Sequence, residues 1–314
     1  MNKKILSFIY NKEKKEFLIL KTGDSNEELH GKSKWYTVTG SVEKNESHED
    51  AVKREVKEET DLDVQEVCPL KWGCIYEWQG IQHEELYFIA FVNSERVKLD
   101  NIEVIDYSWL ILDDFIEKIA WDENKSELRT FLKLGITKQI DHPFVRMDDF
   151  TSKEVLKTRF VNESNIINLS WYKSDDFSQM KDVKQAYGIC LDKNGRMLII
   201  SNRANMWGLP GGTVEKGETF EETLKREVDE EANIEINNLI PVGYNKIEQL
   251  KSGIKSVFYQ LRYKAKITKL KKRAIDPATN KLYQRKFIQP DEFLSYALWG
   301  RPGEAMIKDA IKKS

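Results

Sequence analysis

The stretch GGTVEKGETFEETLKREVDEEANI, residues 211–234, decides how this chain is read. Its opening glycines predict a tight turn. Thr219, followed three residues later by Glu222, is a capping box that predicts a helix start. Leu224 and Val228 give that helix an apolar stripe for a core. Glu227, Glu230 and Glu231 stand at i, i+3 and i+4 and so share one face. An isolated acidic run of this kind is ordinarily a solvated helix face. Its chemical use is to hold a hard divalent cation such as Mg²⁺, which prefers oxygen ligands.

The same pattern occurs earlier in the chain. Residues 40–62 read GSVEKNESHEDAVKREVKEETDL and align without a gap at an offset of 172. Gly40 matches Gly212, Glu46 matches Glu218, Arg54-Glu55 matches Arg226-Glu227, and Glu58-Glu59 matches Glu230-Glu231. Ser47 is the expected N-cap of this helix, with Asp50 as its weaker partner. The offset is too long for a solenoid unit and suits duplication of a whole domain.

Both stretches resemble the Nudix box, G-x5-E-x7-R-E-U-x-E-E-x-G-U with U apolar. Eight positions agree in each: Gly212, Glu218, Arg226, Glu227, Val228, Glu230, Glu231 and Ile234; and Gly40, Glu46, Arg54, Glu55, Val56, Glu58, Glu59 and Leu62. A P-loop is excluded, because Gly217 is followed by Glu218 and not Lys. The last box glycine is Asp61 in one copy and Asn233 in the other, the residue types that best tolerate the left-handed conformation that ends a helix.

The resemblance implies an α+β protein of α/β/α sandwich type: two tandem Nudix folds, each a mixed β-sheet between helices. It implies hydrolysis of pyrophosphate bonds in nucleoside diphosphate derivatives, with Mg²⁺ or Mn²⁺. Carried over, the metal ligands and catalytic acids are Glu227, Glu230 and Glu231 with the carbonyl of Gly211, and Glu55, Glu58 and Glu59 with the carbonyl of Thr39. Glu218 with Arg226, and Glu46 with Arg54, are expected as supporting ion pairs between loop and helix. Glu85, ahead of an apolar strand, is a further candidate ligand or base in the first copy; its ordinary role would be a charged edge turn. The corresponding strand of the second copy is expected to be entered through Ile254, Lys255 and Ser256, leaving Glu248 as a substitute. The first copy, with WYTVTGSVE, EELYFIAFV and Trp121-x-x-Asn124, is similar to enzymes that remove pyrophosphate from dATP or dihydroneopterin triphosphate. Trp35, Trp207, Tyr244 and Tyr259 are available to stack on a base, or simply to pack in a core. An alternative is that one copy is a nucleotide-binding sensor for the other, though no box glutamate is lost.

The 314 residues, 40% hydrophobic and 32% charged, suit about two ordinary domains. We expect a first Nudix domain over 1–138, a structured connector over 139–180 and a second Nudix domain over 181–314. The net charge of −2 gives no electrostatic case for nucleic acid or an anionic membrane, and no DNA-binding segment is visible. The partner expected is a small-molecule nucleotide. The basic N-terminal stretch is broken by charges too early for a signal peptide. Cys68, Cys74 and Cys190 are not in metal-binding spacing and are expected to be reduced cytoplasmic thiols. Residues 3–21 predict a hairpin, 23–34 a polar loop, 152–160 a short helix and 167–172 a strand. The basic run 269–273 is expected as a solvated edge, with phosphate attraction as its functional alternative.

Overall fold

The structure is a computed structural model and describes residues 1–23, 33–99, 104–141, 143–201 and 206–313, so most of the polar loop expected at 23–34 lies outside the described residues. It divides into two compact units, Met1–Thr151 and Ser152–Ser314. Among the described residues no helix is long and apolar enough to cross a membrane.

In unit 1 the expected hairpin forms from β1 (Asn2–Asn11) and β2 (Glu16–Thr22), closed at Asn11↔Glu16. β3 (Trp35–Tyr36) lies against β2, and β4 (Val38–Ser41), which contains the first glycine turn, pairs with β1. Helix α1 (His48–Thr60) follows, then β5 (Val64–Trp78), β6 (Ile81–Val92) and β7 (Val104–Leu110). Helices α2 (Leu112–Lys118) and α3 (Lys125–Ile136) and strand β8 (Val145–Asp149) complete the unit. Asn124 of the W-x-x-N motif caps α3 by accepting from the Glu127 amide at 3.0 Å. The sheet is mixed: β6 runs parallel to β1 and antiparallel to β5, and β8 runs parallel to β5.

Period-2 alternation along β6 sorts its residues between the two faces of the sheet. Leu86, Phe88, Ala90 and Val92 pack with Val52 and Val56 of α1. Tyr87 points to the other face, where its ring meets Trp72 and Trp121 edge-on. There Arg146 of β8, 1% exposed, bridges Glu127 at 2.6 Å and Asp148 at 2.7 Å, and Asp148 also accepts from Trp72 Nε1 at 2.9 Å.

In unit 2, β9 (Leu156–Asn162) and β10 (Asn165–Lys173) form a hairpin, and β10 pairs with β14 (Ile234–Lys251). The helix expected at 152–160 is therefore strand β9. A short run such as Val155-Leu156 beside Phe160 fits either period, and pairing with β10 decides it. The segment 139–180 is divided: β8 pairs with β5 in unit 1, whereas β9 and β10 belong to unit 2.

The duplicated core follows as β11 (Val183–Leu191), β12 (Met197–Ser201), β13 (Gly211–Thr213) and helix α4 (Phe220–Ala232). β14 turns at Ser252-Gly253 into β15 (Ile254–Leu270), which runs parallel to β11. Strand β16 (Gln284–Ile288) and helices α5 (Phe293–Ala297) and α6 (Gly300–Lys312) close the unit. Leu224 and Val228 of α4 pack on Ala186, Cys190, Leu261 and Tyr263, while Ile189 meets Met306 and Ile307 of α6 on the opposite face.

Candidate active site

Each acidic helix is fixed at both ends by its own sequence. The Ser47 hydroxyl accepts from the Asp50 amide, and Thr219 and Glu222 form the full capping box. Asp61 and Asn233 end the helices in the left-handed region, at φ 58° and 50°. Asn233 also accepts from the Ala274 amide at 2.7 Å, so it ties α4 to a loop that a glycine could not reach.

The two arginines make the same contacts in both units. Arg226 holds Glu218 through Nε at 2.7 Å and Nη2 at 3.0 Å, with Nη1 on Glu227 at 3.0 Å and Glu230 at 3.1 Å. Its Nη2 also donates to the Thr213 carbonyl at 3.0 Å. Arg54 holds Glu46 at 2.9 and 3.0 Å, Glu55 at 2.8 Å, Glu58 at 3.2 Å and the Ser41 carbonyl at 2.8 Å. The expected loop–helix pairs are thus present, and each arginine also clamps two box acids. The Arg226 guanidinium, followed by the Thr223 hydroxyl, holds Glu218 down to a pKa of about 2.

The glycines bring the turn against the acids. A Cβ on Gly40 would lie 2.0 Å from the Glu55 carboxyl carbon, and one on Gly212 would lie 2.5 Å from that of Glu227. Gly211, at φ 139°, donates its amide to Glu231 Oε2 at 2.9 Å. Burial raises Glu231 to a pKa of about 7, against the opposing hydrogen bonds from Gly211 and Tyr283, and the charges of Glu227 and Asp276 push it the same way. Burial also raises Glu227. Tyr283 and Asp276 lie well beyond the box, and no motif signalled them.

The donor set fits a hard divalent cation: three carboxylates on one helix face, pressed against a glycine turn too close for any side chain. As they stand, no three acidic, His or Cys side chains among the described residues are grouped to hold an ion. Each arginine occupies an oxygen on two acids of its helix and offsets their repulsion.

Glu85 departs from expectation. By alternation along β6 it shares the face of Tyr87, so the structure does not bring it to Glu55, Glu58 and Glu59 on α1. It is 8% exposed, opposite Cys74 on β5 and Lys4 on β1, and burial raises it to a pKa of about 7. The acid that shares α1's face is Glu84, whose charge reaches His48 at the helix start.

The register also corrects the counterpart in unit 2. Thr39 pairs with Leu6 and Leu6 with Tyr87; Gly211 pairs with Tyr187 and Tyr187 with Arg262. Two residues upstream, Lys4 faces Glu85 and Gln185 faces Gln260. Gln260, not the segment 254–256, therefore stands where Glu85 does. Glu248 lies within β14, paired with Lys246 at 3.0 Å. The aromatic candidates pack against the protein: Tyr244 meets Tyr172 and Tyr259, Trp207 meets Tyr296, and Lys118 covers Trp35. In the basic run, Lys271 pairs with Asp229 at 2.8 Å and Lys269 with Glu235 at 3.3 Å, as a solvated edge does.

Comparison with known families places this duplicated geometry. The NUDIX domain model matches residues 3–131 and again 181–308. The chain belongs to the Nudix family. It carries two tandem Nudix domains and is an enzyme of the nucleotide pyrophosphohydrolase type. Among curated proteins no sequence match was found. Solved Nudix structures similar to it include the dihydroneopterin triphosphate pyrophosphohydrolase of E. coli, 25% identical over 43% of this chain and 95% of that one, with a TM-score of 0.35. An Ap4A hydrolase of C. elegans is 24% identical over 44% of this chain and 99% of that one, with a TM-score of 0.36. The pyrophosphohydrolase BsRppH of Bacillus subtilis is 27% identical over 39% and 72%, with a TM-score of 0.31.

Proposed function

We propose that both Nudix units hydrolyse pyrophosphate bonds in small nucleotides with Mg²⁺ or Mn²⁺, through Glu55, Glu58 and Glu59 in unit 1 and Glu227, Glu230 and Glu231 in unit 2, with the carbonyls of Thr39 and Gly211. The observation that carries this is the duplicated clamp: Arg54 and Arg226 make matching contacts to three box glutamates and one turn carbonyl each. A bound divalent ion supplies charge neutralisation on the pyrophosphate, a more electrophilic phosphorus and a more acidic water. The protein supplies orientation and a proton acceptor. Glu218 and Glu46 are kept ionised and hold their arginines; the arginines hold the helix acids against the turn. Glu231, whose Oε2 accepts from the Gly211 amide and which burial raises to a pKa of about 7 before any cation binds, is the candidate proton acceptor near neutral pH. The three cysteines, odd in number and not in metal-binding spacing, are the ground for proposing a reducing, cytoplasmic setting.

A screen of nucleoside triphosphates and diphosphate-linked nucleotides, read by ³¹P NMR, tests this reading. Turnover should need added Mg²⁺ or Mn²⁺ and stop with EDTA. It should survive Glu59→Gln or Glu231→Gln singly and vanish when both are changed. An active double variant would refute the site assignment.

A further inference from the structure

Glu231 is held from a second direction by a segment outside the box. The Tyr283 hydroxyl donates to its carboxylate, while the Gly211 amide donates to Oε2 at 2.9 Å. Tyr283 is 7% exposed, and it packs in the cluster that contains Leu224, Val228 and Ala232 of α4. The loop 271–283 that delivers it is fastened to the end of that helix. The Lys271 amide donates to the Asn233 carbonyl at 2.9 Å, the Ala274 amide to Asn233 Oδ1 at 2.7 Å, and Arg285 Nη1 to the Ala232 carbonyl at 2.7 Å. The loop is also closed on itself. The Asp276 amide donates to the Lys281 carbonyl at 2.9 Å, the buried Asp276 carboxylate accepts from the Thr279 hydroxyl at 2.6 Å, and Arg273 Nη2 donates to the Tyr283 carbonyl at 2.8 Å. These bonds fix the backbone that carries the ring.

The same cluster holds a tyrosine with an ordinary structural role. Tyr263, 1% exposed, donates to Glu221 Oε1 at 3.0 Å, which satisfies a buried hydroxyl. Glu221 lies in the first turn of α4 and is no box acid. Tyr283 differs in its partner, one of the three carboxylates assigned to the cation. Unit 1 lacks this contact. Leu6 stands with Tyr187, so Tyr10 stands with Leu191; their hairpin partners are Phe17 and Met197, which pair onward with Leu110 and Ile288. Four positions upstream, Asp106 stands with Gln284, and Ile105 precedes the one as Tyr283 precedes the other. An isoleucine side chain donates nothing, so the tyrosine contact is particular to unit 2.

We propose that Tyr283 is a positioning residue for the cation site of unit 2: its hydroxyl and the Gly211 amide hold the Glu231 carboxylate between them, so that the acid meets a divalent ion already oriented. Glutamate is among the side chains with the most rotamer freedom to lose on being fixed, and here two distant segments fix it beforehand. Hydrogen-bond partners of this kind orient metal ligands and tune their affinity.

This role rests on Glu231 being a cation ligand, as proposed above, and the test separates the two. Full-length protein freed of metal is titrated with Mn²⁺ alone, and the free ion is counted by electron paramagnetic resonance. Binding that Glu231→Gln weakens belongs to unit 2. Tyr283→Phe keeps the ring and removes only the hydroxyl; it should weaken that binding about tenfold or more, the usual loss when a partner of a metal ligand is removed. Tyr263→Phe should change it by less than about twofold, and thermal unfolding in EDTA checks that both variants are folded. An unchanged Mn²⁺ affinity in folded Tyr283→Phe protein, or equal losses from the two tyrosine variants, overturns the role of Tyr283 and leaves the box assignment standing. Mn²⁺ binding indifferent to Glu231→Gln refutes the box assignment and the role of Tyr283 with it. The Tyr283→Phe loss in a protein that hydrolyses no nucleotide supports the positioning and refutes the activity.

Discussion

Glu85→Gln should stabilise unit 1 at neutral pH and abolish a pH dependence that the wild type shows. Glu85 is buried opposite Cys74, and burial moves its pKa from 4.5 to about 7 despite the charge of Lys4. Between those two pH values the folded state holds a proton that the unfolded state has released. Stability therefore falls as pH rises through this window, and the loss is complete above about pH 7.5. At about 1.4 kcal/mol per pH unit the penalty is of order 3 kcal/mol. Glutamine keeps the shape and removes the titration, and unit 2 already has Gln260 at this register position. Urea unfolding at pH 4.5 and pH 8 is the assay, followed by near-ultraviolet circular dichroism, because Trp72 and Trp121 pack close to Tyr87 in unit 1. Variant and wild type should agree at pH 4.5, with the variant more stable at pH 8. A variant no more stable than wild type at pH 8 would refute the reasoning and make Glu85 a stabilised carboxylate.

Removing the charge of Arg146 alone, as Arg146→Met, leaves Glu127 and Asp148 buried without their counter-charge and should destabilise unit 1 by about 3–5 kcal/mol in urea unfolding. Gly212→Ala drives a methyl into the Glu227 carboxyl; turnover assigned to unit 2 should drop about tenfold or more, since a small misplacement of a catalytic group is costly. Steady-state kinetics in a Glu59→Gln background reads that loss. Asn233→Gly keeps the left-handed cap but loses the bonds to Ala274 and Asp229, and thermal unfolding should show a net cost of about 1 kcal/mol.

The sequence by itself determined the two acidic helices, their caps and the glycine turns ahead of them, and the resemblance to the Nudix box implied the loop–helix ion pairs. The helices, caps and turns are local, with partners at fixed short spacing, so residue type and offset suffice to place them. The parallel pairings Leu6↔Tyr87 and Tyr187↔Arg262 join residues far apart along the chain, and only the tertiary structure decided them. That register put Glu85 on the face away from α1 and made Gln260 its counterpart. It also buried Arg262 beside Asn245 with neither fully paired. Strand β9 was ambiguous for a related reason: a short apolar run has no period of its own until a neighbouring strand imposes one. Chemistry carried by local spacing could be read from the residues; which residues share a face of the sheet depends on which distant strands lie side by side.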